Sequence, residues 1–175
     1  MIGTSSRKRV TGKKDIDWFA AHGYGVDTMK KSECMECLEF FNPVSLRNGE
    51  FLFTEGEPDD QLFIIRDGAV EMGQLAAPRH SIDFGPYGPV TFADDEERTL
   101  NDWLRLVILR EGECAGEVGF VAHEPHKLAA RARGDVELFQ VDARNIHGLA
   151  GKSALLCRHL AMALAMTHQK IALAG

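Results

Sequence analysis

Between Glu111 and Phe120 the chain reads Glu111-Gly112-Glu113-Cys114-Ala115-Gly116-Glu117-Val118-Gly119-Phe120. Glycines let a backbone approach a ligand closely, consecutive main-chain N–H groups can cradle an anion, and a carboxylate beside them can accept hydrogen bonds from hydroxyls. That combination suits a phosphate joined to a sugar. A Gly-Glu pair also occurs in ordinary turns, so the flanking elements have to decide between the two. A strand-like apolar run ends at Arg110 before it; a His- and Pro-containing segment and an alternating tail to Asp142 follow it.

Strand signals dominate the middle of the chain. Val44 and Leu46, then Phe51 and Phe53, alternate with polar neighbours around the turn dipeptide Asn48-Gly49, which predicts two short strands meeting in a hairpin or corner. Leu62-Phe63-Ile64-Ile65 reads as a buried strand, Arg66-Asp67-Gly68 as a turn, and Ala69–Gly73 as the returning strand. Arg105–Leu109 restarts the sheet, and Val136–Asp142 closes it. Short strands at spacings near ten residues predict a sandwich or barrel.

Helical patterns sit at both ends. Ile16–Met29 mixes aromatic and small residues with Gly23 and Gly25, which suggests a short or broken helix. Ser32 is the expected cap of a helix presenting Met35, Leu38 and Phe41, ended by Asn42-Pro43. After a break at Gly148 and Gly151, Ser153 caps a helix with Leu156, Leu160, Leu164 and Ile171 on one face, widened by Leu155, Met162 and Met166.

Composition narrows the class. The 175 residues are enough to bury about 70% of the unfolded surface in a single domain, and 45% hydrophobic with 26% charged residues is a globular composition. No apolar run approaches the ~20 residues of a membrane helix. A net charge of −6 argues against a nucleic-acid binder. Arg7, Lys8, Arg9, Lys13 and Lys14 precede the first acid, Asp15, and read as a flexible basic tail, with a targeting fragment or electrostatic tether as the alternative. The cysteines Cys34, Cys37, Cys114 and Cys157 form no disulfide framework; Cys34 and Cys37 are expected to be helix-packing thiols, and the protein to be cytoplasmic. The segment 75–103, with Pro78, Pro86, Pro89 and the run Asp94-Asp95-Glu96-Glu97, reads as a long insertion, either a solvated loop or one that covers a pocket or a partner.

The run from Leu46 to Val70, with Gly49, Gly56 and Gly68 separated by strands, resembles the first half of a cyclic nucleotide-binding domain, as found in bacterial catabolite activators, kinase regulatory subunits and gated channels. The resemblance implies a mainly β fold: an eight-stranded double-sheet jelly roll, the cupin-like β-roll, flanked by N-terminal and C-terminal α-helices. It divides the chain into a basic tail and helical lead-in at 1–31 and the domain proper at 32–175. In that family the last helix is a mobile lid or a dimer contact, so a homodimer through the C-terminal helix is one arrangement it allows.

By the same resemblance, residues 112–132 align with the phosphate-binding cassette. Gly116 would present its N–H near the cyclic phosphate, Glu117 would accept the ribose 2′-hydroxyl, and Val118 would begin a short turn aimed at the anion. The second half departs from the pattern. The phosphate-pairing arginine falls on His126 or on Lys127, and the hydroxyl residue that should follow is replaced by Lys127-Leu128 or Leu128-Ala129. Arginine offers a planar fork where lysine offers a point charge; losing a charged hydrogen bond costs about 1.5–3 kcal/mol, roughly ten- to a hundredfold in affinity.

The expected ligand set is therefore Gly116, Glu117, Val118, His126, Lys127, Leu128 and Ala129, with no cofactor and no catalytic residue. Three readings stay open: a non-catalytic sensor binding cyclic AMP, cyclic GMP or a related anion weakly; a ligand-free module that docks a protein; and a cupin-type metalloenzyme using His123, His126 and Glu117. The cupin spacing of paired histidines, glutamate and a distant third histidine is absent. The remaining histidines, His168 among them, read as surface or capping residues. A protein partner or attached effector domain is expected, without nucleic acid or membrane insertion. No helix-turn-helix follows the last helix, so a self-contained transcription factor is not expected.

Overall fold

The computed structural model describes residues 12–58, 60–75, 79–83, 89–93 and 103–174, with the backbone alone for 75, 79–83, 89–93 and 118. The chain opens with α1 (Lys13–Ala21), one 3-10 turn (Val26–Thr28) and α2 (Lys31–Leu38). Strands β1 (Asn42–Leu46), β2 (Phe51–Phe53), β3 (Gln61–Leu75), β4 (Arg79–Asp83), β5 (Pro89–Ala93), β6 (Trp103–Arg110) and β7 (Cys114–Ala115) follow. Then come α3 (Glu117–Ala122), β8 (Ala129–Asp142), α4 (Ile146–Lys152) and α5 (Ala154–Ala172).

Six strands form one antiparallel sheet in the order β1-β8-β3-β6, with β2 also on β8 and β7 also on β3; β4 and β5 pair separately. The mainly β expectation with helices at both ends holds at this level. Several local expectations do not. Arg66-Asp67-Gly68 is not a reversal: β3 runs straight through it, because Gly68 takes φ +88° and the ladder to β8 absorbs the irregularity as bulges. Only glycine fits there, since a Cβ would sit 2.6 Å from the Asp135 carbonyl oxygen. Strands β1 and β2 make a corner, each pairing with β8 and neither with the other.

Within the 75–103 insertion, the described part is the β4–β5 hairpin; its acidic run and Pro78 and Pro86 lie outside the described residues, as does most of the basic tail. Lys13 and Lys14 belong to α1. The first cap is Lys30, whose N–H donates to Glu33 Oε2 at 3.1 Å, and Ser32 lies inside α2. Helix α4 runs through Gly148 and Gly151. Ser153 caps α5 as expected, its Oγ accepting from the Leu156 N–H at 3.1 Å.

Alternation along β3 and β8 feeds two cores. Leu62, Ile64, Phe139 and Val141 face one built with Phe19, Tyr24, Cys37, Leu38 and Phe41 from the N-terminal helices and Leu149, Leu156 and Leu160 from α4 and α5. Phe63, Ile65, Leu138 and Val136 face the other, with Leu52, Phe53, Met72, Leu109 and Ala132. The lead-in packs on the sheet through its rings: Phe19 stacks on Phe139 at 4.9 Å, and Trp18 Nε1 donates to the Arg66 carbonyl (2.9 Å) and to Glu111 (3.0 Å). Cys34 and Cys37 are buried thiols of the first core; burial pushes Cys37 up to about 11, with Cys34 and Cys157 adding to it.

Candidate functional site

The approach to the site is a backbone constraint. Strand β7 pairs Cys114 with Ile64 and Ala115 with Phe63, and the chain then turns at Gly116 with φ +89°. A Cβ there would stand 2.5 Å from the Gln61 carbonyl oxygen and 3.5 Å from Phe63. Glycine is required on both counts, and the turn starts α3 at Glu117. Glu117 is only 8% exposed, and Val118 follows it in the helix.

The rest of the expected set divides. His126 is buried, its ring stacked on Phe53 with centroids 3.7 Å apart. Its N–H donates to the Glu57 carbonyl (3.1 Å) and its carbonyl accepts from the Gly56 N–H (2.8 Å), which zips this segment to the turn after β2. Phe53 lies 6.2 Å from Phe63, the ring under Gly116, so His126 and Gly116 meet the same apolar interior through two phenylalanines. Leu128 packs against that interior and Ala129 is buried at the start of β8. Lys127 does not join them: it is solvent-exposed and 3.8 Å from Glu124.

Helix α5 lies over the glycine-glutamate end. The Cys114 N–H donates to Thr167 Oγ1 at 3.2 Å, Lys170 Nζ reaches both Glu113 oxygens at 2.7 Å, and His168 Nδ1 lies 3.7 Å from Glu117 Oε1. Ile171 packs on the roll interior. His168, expected at the surface, is indeed exposed; sequence reasoning missed Thr167 and Lys170. The one available signal was Thr167, a hydroxyl where the Leu156–Leu164 stripe should carry another apolar residue. Met162 and Met166 do not widen the buried face: they are exposed, Met166 to 70%. Beneath the helix, burial pushes the Cys114 thiol up to about 12, opposed by its hydrogen bond with Tyr24 and reinforced by Glu117 and Glu113. Among the described residues no group of three or more His, Cys, Asp or Glu side chains could hold a metal ion, and His123, His126 and Glu117 form no such group.

An antiparallel sheet, a glycine-glutamate turn entering a short helix, and a long helix across that turn are the features of a β-roll domain of a known kind. The cyclic nucleotide-binding domain family profile matches residues 43–153, and this chain belongs to that family. Among solved structures it is similar to a cyclic nucleotide-binding domain from Methylobacillus flagellatus, at 14% identity and a TM-score of 0.61, covering 93% of this chain and 82% of that one. It is also similar to the Thermus thermophilus catabolite activator protein, at 19% identity and a TM-score of 0.58, covering 83% and 58%. The regulatory domain of Toxoplasma gondii PKA with cAMP matches at 16% identity and a TM-score of 0.54, covering 84% of this chain and 47% of that one. At these identities the likeness is one of fold. The chain spans about half the length of the last two. Among the described residues, no helix is long and apolar enough to cross a membrane.

Proposed function

We propose that this chain is a non-catalytic regulatory module whose roll interior takes a cyclic nucleotide, cyclic AMP or cyclic GMP, or a related anionic ligand, with reduced affinity. The reading rests on one observation above the others: Glu117, a buried carboxylate, opens α3 directly after a glycine whose site has no room for a Cβ, beside the apolar interior whose Phe53 stacks on His126. In this reading Glu117 takes a ribose hydroxyl, the backbone from Gly116 to Val118 faces the phosphate, and Leu128 and Ala129 line the interior. His126 stands where a charged fork would serve better, and Lys127 supplies only a solvent-exposed charge. An eight-stranded roll is proposed on the same reading, with β3 and β8 each counted as two strands on either side of their register shifts; the six-stranded antiparallel sheet supports it.

The domain proper is then 32–175, with 75–103 an insertion leaving between β3 and β6. The partner is a protein or an attached effector domain. The exposed Met162 and Met166 on α5, with Leu173 just beyond its end, suit a second copy of the helix. A ligand-free docking module is the second reading. It is favoured by the way the chain satisfies its own site, with His126 on Phe53, Ile171 in the interior and His168 at Glu117.

Isothermal titration with cyclic AMP, cyclic GMP and guanosine tests the first reading; guanosine is included because a similar structure, a cAMP-independent kinase regulatory subunit from Trypanosoma cruzi, is bound to it. Binding of a cyclic nucleotide that tightens about ten- to a hundredfold in His126→Arg and is lost in Glu117→Gln is the expected result. No binding to either protein would leave the docking module as the function.

A further inference from the structure

Strands β3, β6 and β8 carry a second charged constellation that does not include Glu117. Glu71 on β3 is buried, yet three arginines surround it. Arg131 on β8 chelates Oε2 through Nε (3.2 Å) and Nη2 (3.1 Å), while Arg105 on β6 and Arg133 on β8 stand 3.5 and 3.8 Å from Oε1. The Arg131 guanidinium lies 4.5 Å over the Trp103 ring, and Phe51 meets Trp103 edge to face at 5.9 Å.

A buried carboxylate needs a partner, and the two-toothed Arg131 provides it. Arg105 and Arg133 are more than that role requires. Their side chains are 51% and 52% exposed, their contacts to Glu71 are long, and surface pairs of that kind contribute little to stability. Among the described residues, three guanidinium charges stand against one carboxylate and leave two in excess, on a chain whose net charge is −6. Two irregularities aim these side chains outward. An extra residue in β6 between Arg105 and Val107 turns Arg105 toward the Glu71 face, while the shift in β2 sends Phe51 out and Phe53 in. Such bulges re-aim side chains, and here two of them converge on one patch.

We propose that this patch binds an acidic, extended peptide segment of a partner protein, its carboxylates held by the forks of Arg105 and Arg133 and its apolar side chains lying on Trp103 and Phe51. Two spare cations among the described residues are too few for a nucleic acid, which is gripped through many phosphates. The extended form follows from β6, the end strand of the sheet path, which among the described residues has β3 as its strand partner and so presents a backbone edge beside Arg105.

Fluorescence anisotropy of the full chain with a short fluorescein-labelled peptide of alternating Glu and Thr tests the assignment at low salt. Saturable binding is expected, weakened at least tenfold in the double variant Arg105→Gln, Arg133→Gln and by added salt, with no binding to the matching Lys-Thr peptide. Arg131 is left in place, so thermal melting should stay near that of the parent; if it does not, Arg105→Lys with Arg133→Lys keeps the charges while removing the forks and should weaken binding by a smaller factor. No saturable binding, or binding unchanged in both double variants, overturns the proposal. Binding confined to a phosphoserine version of the peptide overturns the carboxylate assignment.

Discussion

Gly116 and Glu117 show how much a single backbone angle controls. With φ +89° and the Gln61 carbonyl oxygen 2.5 Å from where a Cβ would stand, Gly116→Ala is expected to lower unfolding free energy by about 1–3 kcal/mol in urea titrations, and an unchanged midpoint would refute the strained turn. Glu117 itself was legible in the sequence because Gly-Glu is a short, local pattern. His126 was legible as a departure from a pattern, though its stacking on Phe53 was not: 73 residues separate the two, and only the shift in β2 sends that ring inward. The Glu71 cluster was invisible for the same reason. Its members come from three strands, and nothing local marks an arginine as facing a buried carboxylate.

Among the elements, α5 was the easiest to recognise and the easiest to orient wrongly. Its apolar residues cover a broad arc, and periodicity alone cannot say which part of the arc docks. Structure resolves this through polar contacts: Thr167, Lys170 and His168 bind β7, Glu113 and Glu117, which turns Met162 and Met166 to solvent. Two substitutions separate the sides. Thr167→Val leaves the buried Cys114 N–H without its acceptor and should cost about 1–3 kcal/mol, whereas Met166→Glu should stay within about 0.5 kcal/mol, both by chemical denaturation. Equal losses would mean the helix is seated differently. Strand β3 was read in two pieces because Gly68 is an ordinary turn signal. A bulge uses the same residue type, and only the partner strand tells the two apart.

For the molecule as a whole, the buried thiols set an alkaline limit. An unfolded thiol ionises near 9, whereas the folded protein holds Cys37 up to about 11 and Cys114 up to about 12, chiefly through burial. The folded state therefore keeps these protons longer than the unfolded one. Their contribution is intact below about pH 9 and drains away as pH climbs through 11 and 12. Denaturation midpoints under reducing conditions should fall steadily above pH 9, and Cys114→Ala should make the fall shallower; a flat profile to pH 11 would contradict the burial. Finally, β3 and β8 give alternate side chains to both interiors, like a party wall between two rooms. Neither room can be demolished while the other stands, so a scanning calorimeter should record one heat-absorption peak whose calorimetric and van't Hoff enthalpies agree.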